Sequence, residues 1–322
     1  MVAVSVVMAA YNDASRLRET LDSVLIQEMG DFELIVVNDG SSDQCVGEIL
    51  TEFQEKDRRI QVISKKNEGL TRALLDGCSQ AKGRYIARID AGDAMHSDRL
   101  EKQMLVLEQN PSCAFVSCWT GFYGPVWEPM WLAKGRPDSD CPVSVLPDDP
   151  EMGLAGDIPH HGSVMFRKSA YERAGGYRPD FYYGQDWDLW HRLAEIGKFH
   201  IVQNELYRAR FFADSISMTR KQQQDEVARC SKRAFVERRR GKDESEWLVK
   251  AALQRPLQNK QTGEEKIKNV EPGLYFIGEA LRRRRDTRCR RYLVEAIRHA
   301  PLKPRAYVRW IQSFAFPGGN SP

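Results

Sequence analysis

Glu33-Leu34-Ile35-Val36-Val37-Asn38-Asp39-Gly40-Ser41-Ser42-Asp43 is the stretch on which the fold turns. A short run rich in β-branched residues stops abruptly in residues that favour turns and helix caps, which reads as a strand ending in a loop. The pattern recurs on both sides. Strands are predicted at Val4–Met8, Glu33–Asn38, Ile60–Ser64, Tyr85–Ile89 and Ala114–Cys118. Between the first two, Leu17, Leu21, Val24 and Leu25 recur at helical spacing. Further helices are predicted over Asp43–Gln54, Leu70–Ala81 and Asp98–Glu108. Alternating strands and amphipathic helices define an open, mostly parallel α/β sheet, whose ligands sit outside the carboxyl ends of its strands.

Beyond this repeat, residues 119–160 lose any countable period and carry Trp119, Trp127 and Trp131 among many prolines and acids. This region reads as a loop or an insertion over the site. Regular structure is expected to resume with a strand at Ser163–Arg167, a helix starting near Asp186, and strands near His200–Val202 and Leu206–Phe211. Beyond Ser217 the chain becomes helical and arginine-rich. Residues 1–220 hold 24 Lys+Arg against 33 Asp+Glu, whereas residues 221–322 hold 24 against 12. A reversal of sign on this scale points to different partners for the two regions. The expected organisation is therefore a domain over 1–220, in two halves over 1–118 and 119–220, followed by a helical basic extension over 221–322.

At 322 residues with 42% hydrophobic content, the chain has enough apolar residues for a large core. Met1 precedes an apolar run with no basic residues before it, so the start reads as a strand rather than a leader, and no stretch is long and apolar enough to span a bilayer. Seven cysteines without a CxxC pair fit neither a disulfide framework nor a cysteine zinc site. A reducing, cytoplasmic location is expected.

Three clusters fall at predicted strand ends. Ala9-Ala10-Tyr11-Asn12 offers a stacking face, and Asp39 can accept hydrogen bonds from a base or ribose. Taken alone, Asn38 to Asp43 reads first as a turn followed by an N-cap. Arg88-Ile89-Asp90-Ala91-Gly92-Asp93 places two carboxylates at a strand end, as hard oxygen ligands suited to Mg²⁺ or Mn²⁺; its alternative is a glycine turn with solvated acids. No glycine-rich phosphate loop follows the first strand, so a diphosphate held here needs a metal or basic residues. The same absence excludes a nicotinamide-dependent dehydrogenase and a loop-dependent nucleotidyltransferase.

Together these stretches resemble the inverting glycosyltransferases of family 2, which adopt the nucleotide-sugar-binding GT-A fold. The resemblance runs from Val4 to about Ser217. It rests on Tyr11-Asn12, Asn38 to Asp43, Asn67-Glu68-Gly69, Asp90-Ala91-Gly92-Asp93 with Arg99-Leu100-Glu101-Lys102-Gln103, Val164 to Arg167, Gly175 to Arg178, and Gln185-Asp186-Trp187-Asp188-Leu189-Trp190. It implies a metal-dependent inverting transfer of sugar from a nucleotide diphosphate donor, UDP-sugars favoured, to an acceptor hydroxyl in cell-surface polysaccharide or glycan synthesis. By the same resemblance, Ala10, Tyr11, Asn12, Asp39, Arg72, Asp90 and Ala91 bind the donor. Asp90 and Asp93 hold Mn²⁺ or Mg²⁺, Asp186 is the general base, and His161, Arg178, Gln185 and Trp187 contact acceptor or donor. Two positions depart from the family pattern: Gly92 replaces the third residue of Asp-x-Asp-Asp, and Gln185 replaces the Glu of a Glu-Asp pair.

The chemistry agrees with these roles, since displacing a diphosphate needs a leaving-group stabiliser on one side and a proton acceptor on the other. Asp186 alone would serve equally as a helix cap. His160-His161 could reach donor or metal, but without a third ligand at metal-site spacing the pair reads first as polar loop or substrate contact. Arg167 and Arg178 can meet phosphate, an acidic sugar or surface acids. The three tryptophans are a sugar platform or core. The basic extension is expected to meet an anionic membrane face carrying a lipid-linked saccharide acceptor, or to be a solvated bundle; no nucleic-acid module accompanies it. A second functional reading, prompted by Gly92 and Gln185, is a binding or scaffold protein on the same fold with weak or no turnover. The retained Asp186 favours the enzyme.

Overall fold

The computed structural model describes residues 2–157, 159–214, 220–256 and 270–315; Ser217, and the stretches 257–269 and 316–322 of the basic extension, lie outside them. The first part alternates as the sequence pattern predicts: β1 (Val4–Ala10), α1 (Ala14–Leu25), β2 (Phe32–Asp39), α2 (Gln44–Lys56), β3 (Ile60–Lys65), α3 (Leu70–Gln80) and β4 (Tyr85–Arg88). Then come β5 (Ala94–Met95), α4 (Arg99–Gln109), β6 (Cys113–Tyr123), β7 (Pro129–Ala133), β8 (Met165–Arg167), α5 (Lys168–Arg173), α6 (Gln185–Ile196) and β9 (Lys198–Arg210). Helices α7 (Lys221–Arg239), α8 (Ser245–Ala252), α9 (Glu271–Arg283), α10 (Cys289–His299) and α11 (Pro304–Gln312) follow.

The sheet runs β3-β2-β1-β4-β8-β6-β9-β5, with β7 paired to β6 off this path. β3, β2, β1 and β4 are mutually parallel, while β8 lies antiparallel to both β4 and β6. β1 and β2 pair in register from Val4↔Phe32 to Ala10↔Asn38, which brings the loops after both strands to one edge. Two expectations change. The strands expected near His200–Val202 and Leu206–Phe211 are one strand, because the polar Gln203-Asn204-Glu205 continues in extended form. The irregular region after residue 118 contains the end of β6 and all of β7.

The chain divides into two compact units that cut across the change of sequence character at residue 220. One comprises Met1–Thr120, Ala133–Ala209 and Asp225–Arg255; the other comprises Gly121–Leu132, Arg210–Gln224 and Pro256–Pro322, each over its described residues. In the first, Trp190 of α6 is fully buried, stacked on Phe115 with ring centroids 5.8 Å apart, within a core that includes Val7, Ile35, Leu74 and Phe166. Truncating such a side chain to Ala costs about 3–5 kcal/mol. Val227 and Cys230 of α7 and Ala251 of α8 form a smaller core with Phe181 and Tyr183, just ahead of α6. In the second unit, Met130, Ile277, Leu281, Cys289, Tyr292 and Leu293 form a separate core, against which Trp131 packs. Trp131 is thus a core residue. Trp119 packs against the main core and donates its indole N–H to Gln203 at 3.1 Å.

Candidate active site

The loops after β1 and β2 are stapled by Asn12, which adopts φ 55. Its side-chain oxygen accepts from the backbone N–H groups of Ser42 (2.9 Å) and Asp43 (3.1 Å), and its own N–H donates to the Ser41 hydroxyl at 3.1 Å. Asn12 therefore organises the loop pair. Asp43 is the N-cap of α2, accepting from Cys45 N–H at 3.0 Å. Asp39 does something else. Buried at the end of β2, its two carboxylate oxygens accept from the N–H groups of Glu68 (3.0 Å) and Gly69 (2.8 Å). An ionised carboxylate offers about four lone-pair sites, so both oxygens retain capacity for a ligand N–H. Ala10 is buried at the end of β1, Tyr11 beside it is exposed, and Arg72 is exposed in the first turn of α3.

The turn after β4 is built from the core outward. Arg88 is fully buried and donates to Val7 O (2.5 Å), Ile89 O (3.1 Å) and Asp90 Oδ1 (2.5 Å). Burial pushes the Asp90 carboxyl up, but Arg88 and the two nearby histidines outweigh it and hold the group below its ordinary value. Half-buried Ala91 leads into Gly92, which adopts φ 102, a conformation that side-chain-bearing residues avoid. Thr20 of α1 clamps this turn by accepting from Gly92 N–H (2.9 Å) and donating to Asp93 O (2.7 Å).

Two carboxylates and one imidazole meet here. Asp90, Asp93 and His160 offer ligand atoms that all lie within 4.8 Å of one another. Two ligands about 2.1 Å from a shared ion lie about 3 Å apart as neighbours and about 4 Å apart when opposed, so side-chain rotations would be needed to close the set. Burial depresses the His160 imidazole, keeping it neutral as a ligand must be. The donor set fits a divalent cation. Tyr207 of β9 frames the set: its hydroxyl donates to Asp93 Oδ2 at 2.7 Å and accepts from Asp90 N–H at 3.1 Å. Gly162 leaves room for that hydroxyl, since a Cβ there would collide with it. Arg99, also fully buried, lies over the Tyr207 ring at 4.9 Å and donates to Arg88 O at 2.9 Å. Gln103 orients Arg99 and ties down Ser163 O at 2.8 Å. The Arg99-to-Gln103 motif thus supports the site from beneath.

Asp186 lies in the first turn of α6; the N-cap is Gly184, at φ 60. The capping role is not its geometry. Burial raises its carboxyl to about 6, against two backbone hydrogen bonds that lower it, and the charge of Asp90 adds to the rise. Trp187 next to it is exposed and Gln185 is buried. Arg178 forms a two-pronged pair with Glu244 at 3.0 and 2.9 Å. His161 points inward: its Nε2 lies 2.7 Å from the Tyr177 hydroxyl and 3.4 Å from Arg88 Nε, and burial drops its pKa to about 3. Arg167 donates to Cys113 O at 2.8 Å and to Asn110 O at 3.1 Å. The structure therefore adds His160 and Tyr207 to the cluster and commits His161 and Arg178 to internal partners. The adjacent histidines were visible in sequence, but the carboxylates that complete the set lie about 70 residues upstream, where no spacing rule reaches.

A parallel sheet with a carboxylate-rich turn at its strand ends, continued by antiparallel strands and an acidic helix start, is the architecture of a GT-A nucleotide-sugar transferase. Residues 5–222 match the family described as glycosyl transferase family 2, and the chain belongs to that family as a glycosyltransferase. EpsE of Bacillus subtilis, named as a glycosyltransferase, is 34% identical over 218 residues, covering 66% of this chain and 74% of EpsE. Among solved structures, S. aureus TarS 1-349 superposes with a TM-score of 0.56 at 16% identity, covering 97% of this chain and 89% of TarS 1-349. The mannosyltransferase PcManGT from Pyrobaculum calidifontis, solved with GDP-Man and Mn²⁺, gives 0.51 at 15% identity, covering 97% and 86%. TarS has also been solved with UDP and with UDP-GlcNAc. At these identities the structural likenesses establish the fold.

Proposed function

We propose that the chain transfers a sugar from a nucleoside diphosphate donor, with UDP-sugars favoured, to an acceptor hydroxyl with inversion at the anomeric carbon. One observation carries this reading: Asp90, Asp93 and His160 form a cluster suited to a divalent cation, in the same unit as Asp186 in the first turn of α6, whose carboxyl burial raises to about 6. UDP bound to TarS, and GDP-Man with Mn²⁺ bound to PcManGT, support the donor class and the metal. Asp39 accepts from the base, Tyr11 stacks on it, and exposed Arg72 draws the donor's negative charge, within a nucleotide-binding half over 1–118.

A divalent cation held by Asp90, Asp93 and His160 would supply counter-charge to the diphosphate as it leaves. Asp186 takes the proton of the acceptor hydroxyl as that oxygen bonds to the anomeric carbon. The bond to the diphosphate breaks in the same in-line step and carries its electron pair away, so configuration inverts. Trp187, exposed beside Asp186, meets the acceptor, while Arg178 and His161 position their surroundings through Glu244 and Tyr177. The acceptor is a saccharide or lipid-linked saccharide of a cell-surface glycan, met by a peripheral protein at an anionic membrane face. Among the described residues, no helix is long and apolar enough to cross a membrane.

A panel of nucleoside diphosphate sugars tested with Mn²⁺ decides the matter. The expected result is thermal stabilisation by one donor class and release of its nucleoside diphosphate on adding acceptor. Stabilisation by none, together with no release, would remove the proposal.

A further inference from the structure

The last helices of the second unit carry an apolar stripe that the transfer reaction does not use. α11 is fastened by its inner face, where Ala306 is buried and Trp310 packs against the Ile277, Leu281 and Leu293 core. On its other side Tyr307 is 38% exposed, Val308 48%, Ile311 64% and, just past the helix end, Phe314 55%. Their spacing places them along one face. Leu302, in the turn before the helix, is 96% exposed. An isolated exposed leucine is ordinary; a row of five large apolar groups on one short segment marks an interaction surface.

The charge of the segment that carries the stripe selects the partner. Residues 270–315 hold 11 Lys+Arg against 4 Asp+Glu, net +7. All four acids are already paired: Glu271 with Lys303 and Arg305, Glu279 with Arg282 and Arg283, Asp286 with Arg288, and Glu295 with Arg298. The excess is therefore positive: Arg284 and Arg285, outside these pairs, are exposed, as are the paired Arg283, Arg298 and Lys303. A second copy of the same face would bring like charge against like charge, which disfavours association. An anionic lipid surface matches both features, since it attracts clustered basic residues and admits apolar side chains at the boundary between headgroups and acyl chains.

We propose that the α11 face, with Leu302 as its leading apolar group, docks the protein on an anionic lipid surface. This deepens the peripheral-membrane part of the proposed function by naming the surface, and it does not depend on which donor is used. Leu302, Val308, Ile311 and Phe314 enter the lipid boundary, and the arginines and Lys303 meet lipid phosphates. The arrangement lies in the plane of the membrane and spans nothing.

Vesicle co-sedimentation of the full chain tests it, using phosphatidylcholine vesicles with and without about 30% phosphatidylserine. Wild type is expected to bind the anionic vesicles at least tenfold more tightly than the neutral ones, and to release in about 0.5 M salt. Leu302→Ser with Ile311→Ser is expected to weaken binding about tenfold, as is Arg283→Gln with Arg284→Gln. Both pairs are surface changes, so melting temperatures should match wild type. Equal binding to neutral and anionic vesicles would overturn the proposal. So would undiminished binding by both double variants, or light scattering that shows the face occupied by a second copy. Donor-induced thermal stabilisation reports on the transfer site separately: its absence in wild type would defeat the transfer reading and leave the vesicle result standing.

Discussion

The turn between β4 and β5 and the first turn of α6 each bring a carboxylate into the same unit, and the two are held in opposite electrostatic states. Asp90 sits against the buried Arg88 guanidinium, which helps hold its carboxyl below the ordinary value. Asp186 has no such cation among its larger influences; burial raises it to about 6, and Arg88 acts on it only weakly. Two acids whose surroundings push them apart suit different work: one holds charge, the other exchanges a proton near neutrality. The contrast also explains why Arg88 is buried at all. A buried cation is costly unless paired, and here Asp90 and three backbone or imidazole acceptors share it.

Replacing Asp186 should have the largest effect. Asp186→Asn is expected to lower the rate of nucleoside diphosphate release about 10³-fold while Mn²⁺ binding stays near wild type; a folded variant with normal turnover would dissolve the contrast. Next, Asp93→Asn keeps an acceptor for the Tyr207 hydroxyl but removes a charged ligand, and should weaken Mn²⁺ affinity about 100-fold by calorimetry. An unchanged affinity would place the metal elsewhere.

The pH dependence follows from Asp186. With its carboxyl at about 6, the base form dominates above that value, so turnover should fall about tenfold per pH unit below 6 and level off above it. A flat profile between pH 5 and 8 would assign the proton to another group. Tyr207→Phe removes the hydroxyl that joins Asp93 to the Asp90 backbone, and should weaken Mn²⁺ binding roughly three- to tenfold.

The smallest effect is on stability. Because the folded carboxyl lies above its unfolded value of about 3.9, ionised Asp186 destabilises the fold, fully above about pH 6 and not at all below about pH 4. Asp186→Asn should therefore be more stable than wild type by about 1–2 kcal/mol at pH 8, by denaturant unfolding, with no gain at pH 4.

What could be read before folding depended on how local the signal was. The parallel strands from Val4 to Arg88 were legible because each is a short β-branched run closed by turn residues, and β1, β2, β3 and β4 follow it within a few residues. In sequence β9 resembles two strands, because Gln203-Asn204-Glu205 looks like a turn when only neighbours along the chain are considered. Trp119 and Trp131 divided evenly between sugar platform and core until Gln203 and the second unit's core supplied their partners.

The sequence by itself determined the element order, the acidic strand end at Asp90 to Asp93, Asp186 at a helix start, and the basic character of the last hundred residues. Only the tertiary structure decided that His160 joins those carboxylates, that Tyr207 frames them, and that His161 and Arg178 meet Tyr177 and Glu244. The reason is range. Turn, cap and strand chemistry acts between residues a few positions apart, whereas a ligand set is assembled by the sheet, which brings β4, the His160 turn and β9 together across more than a hundred residues.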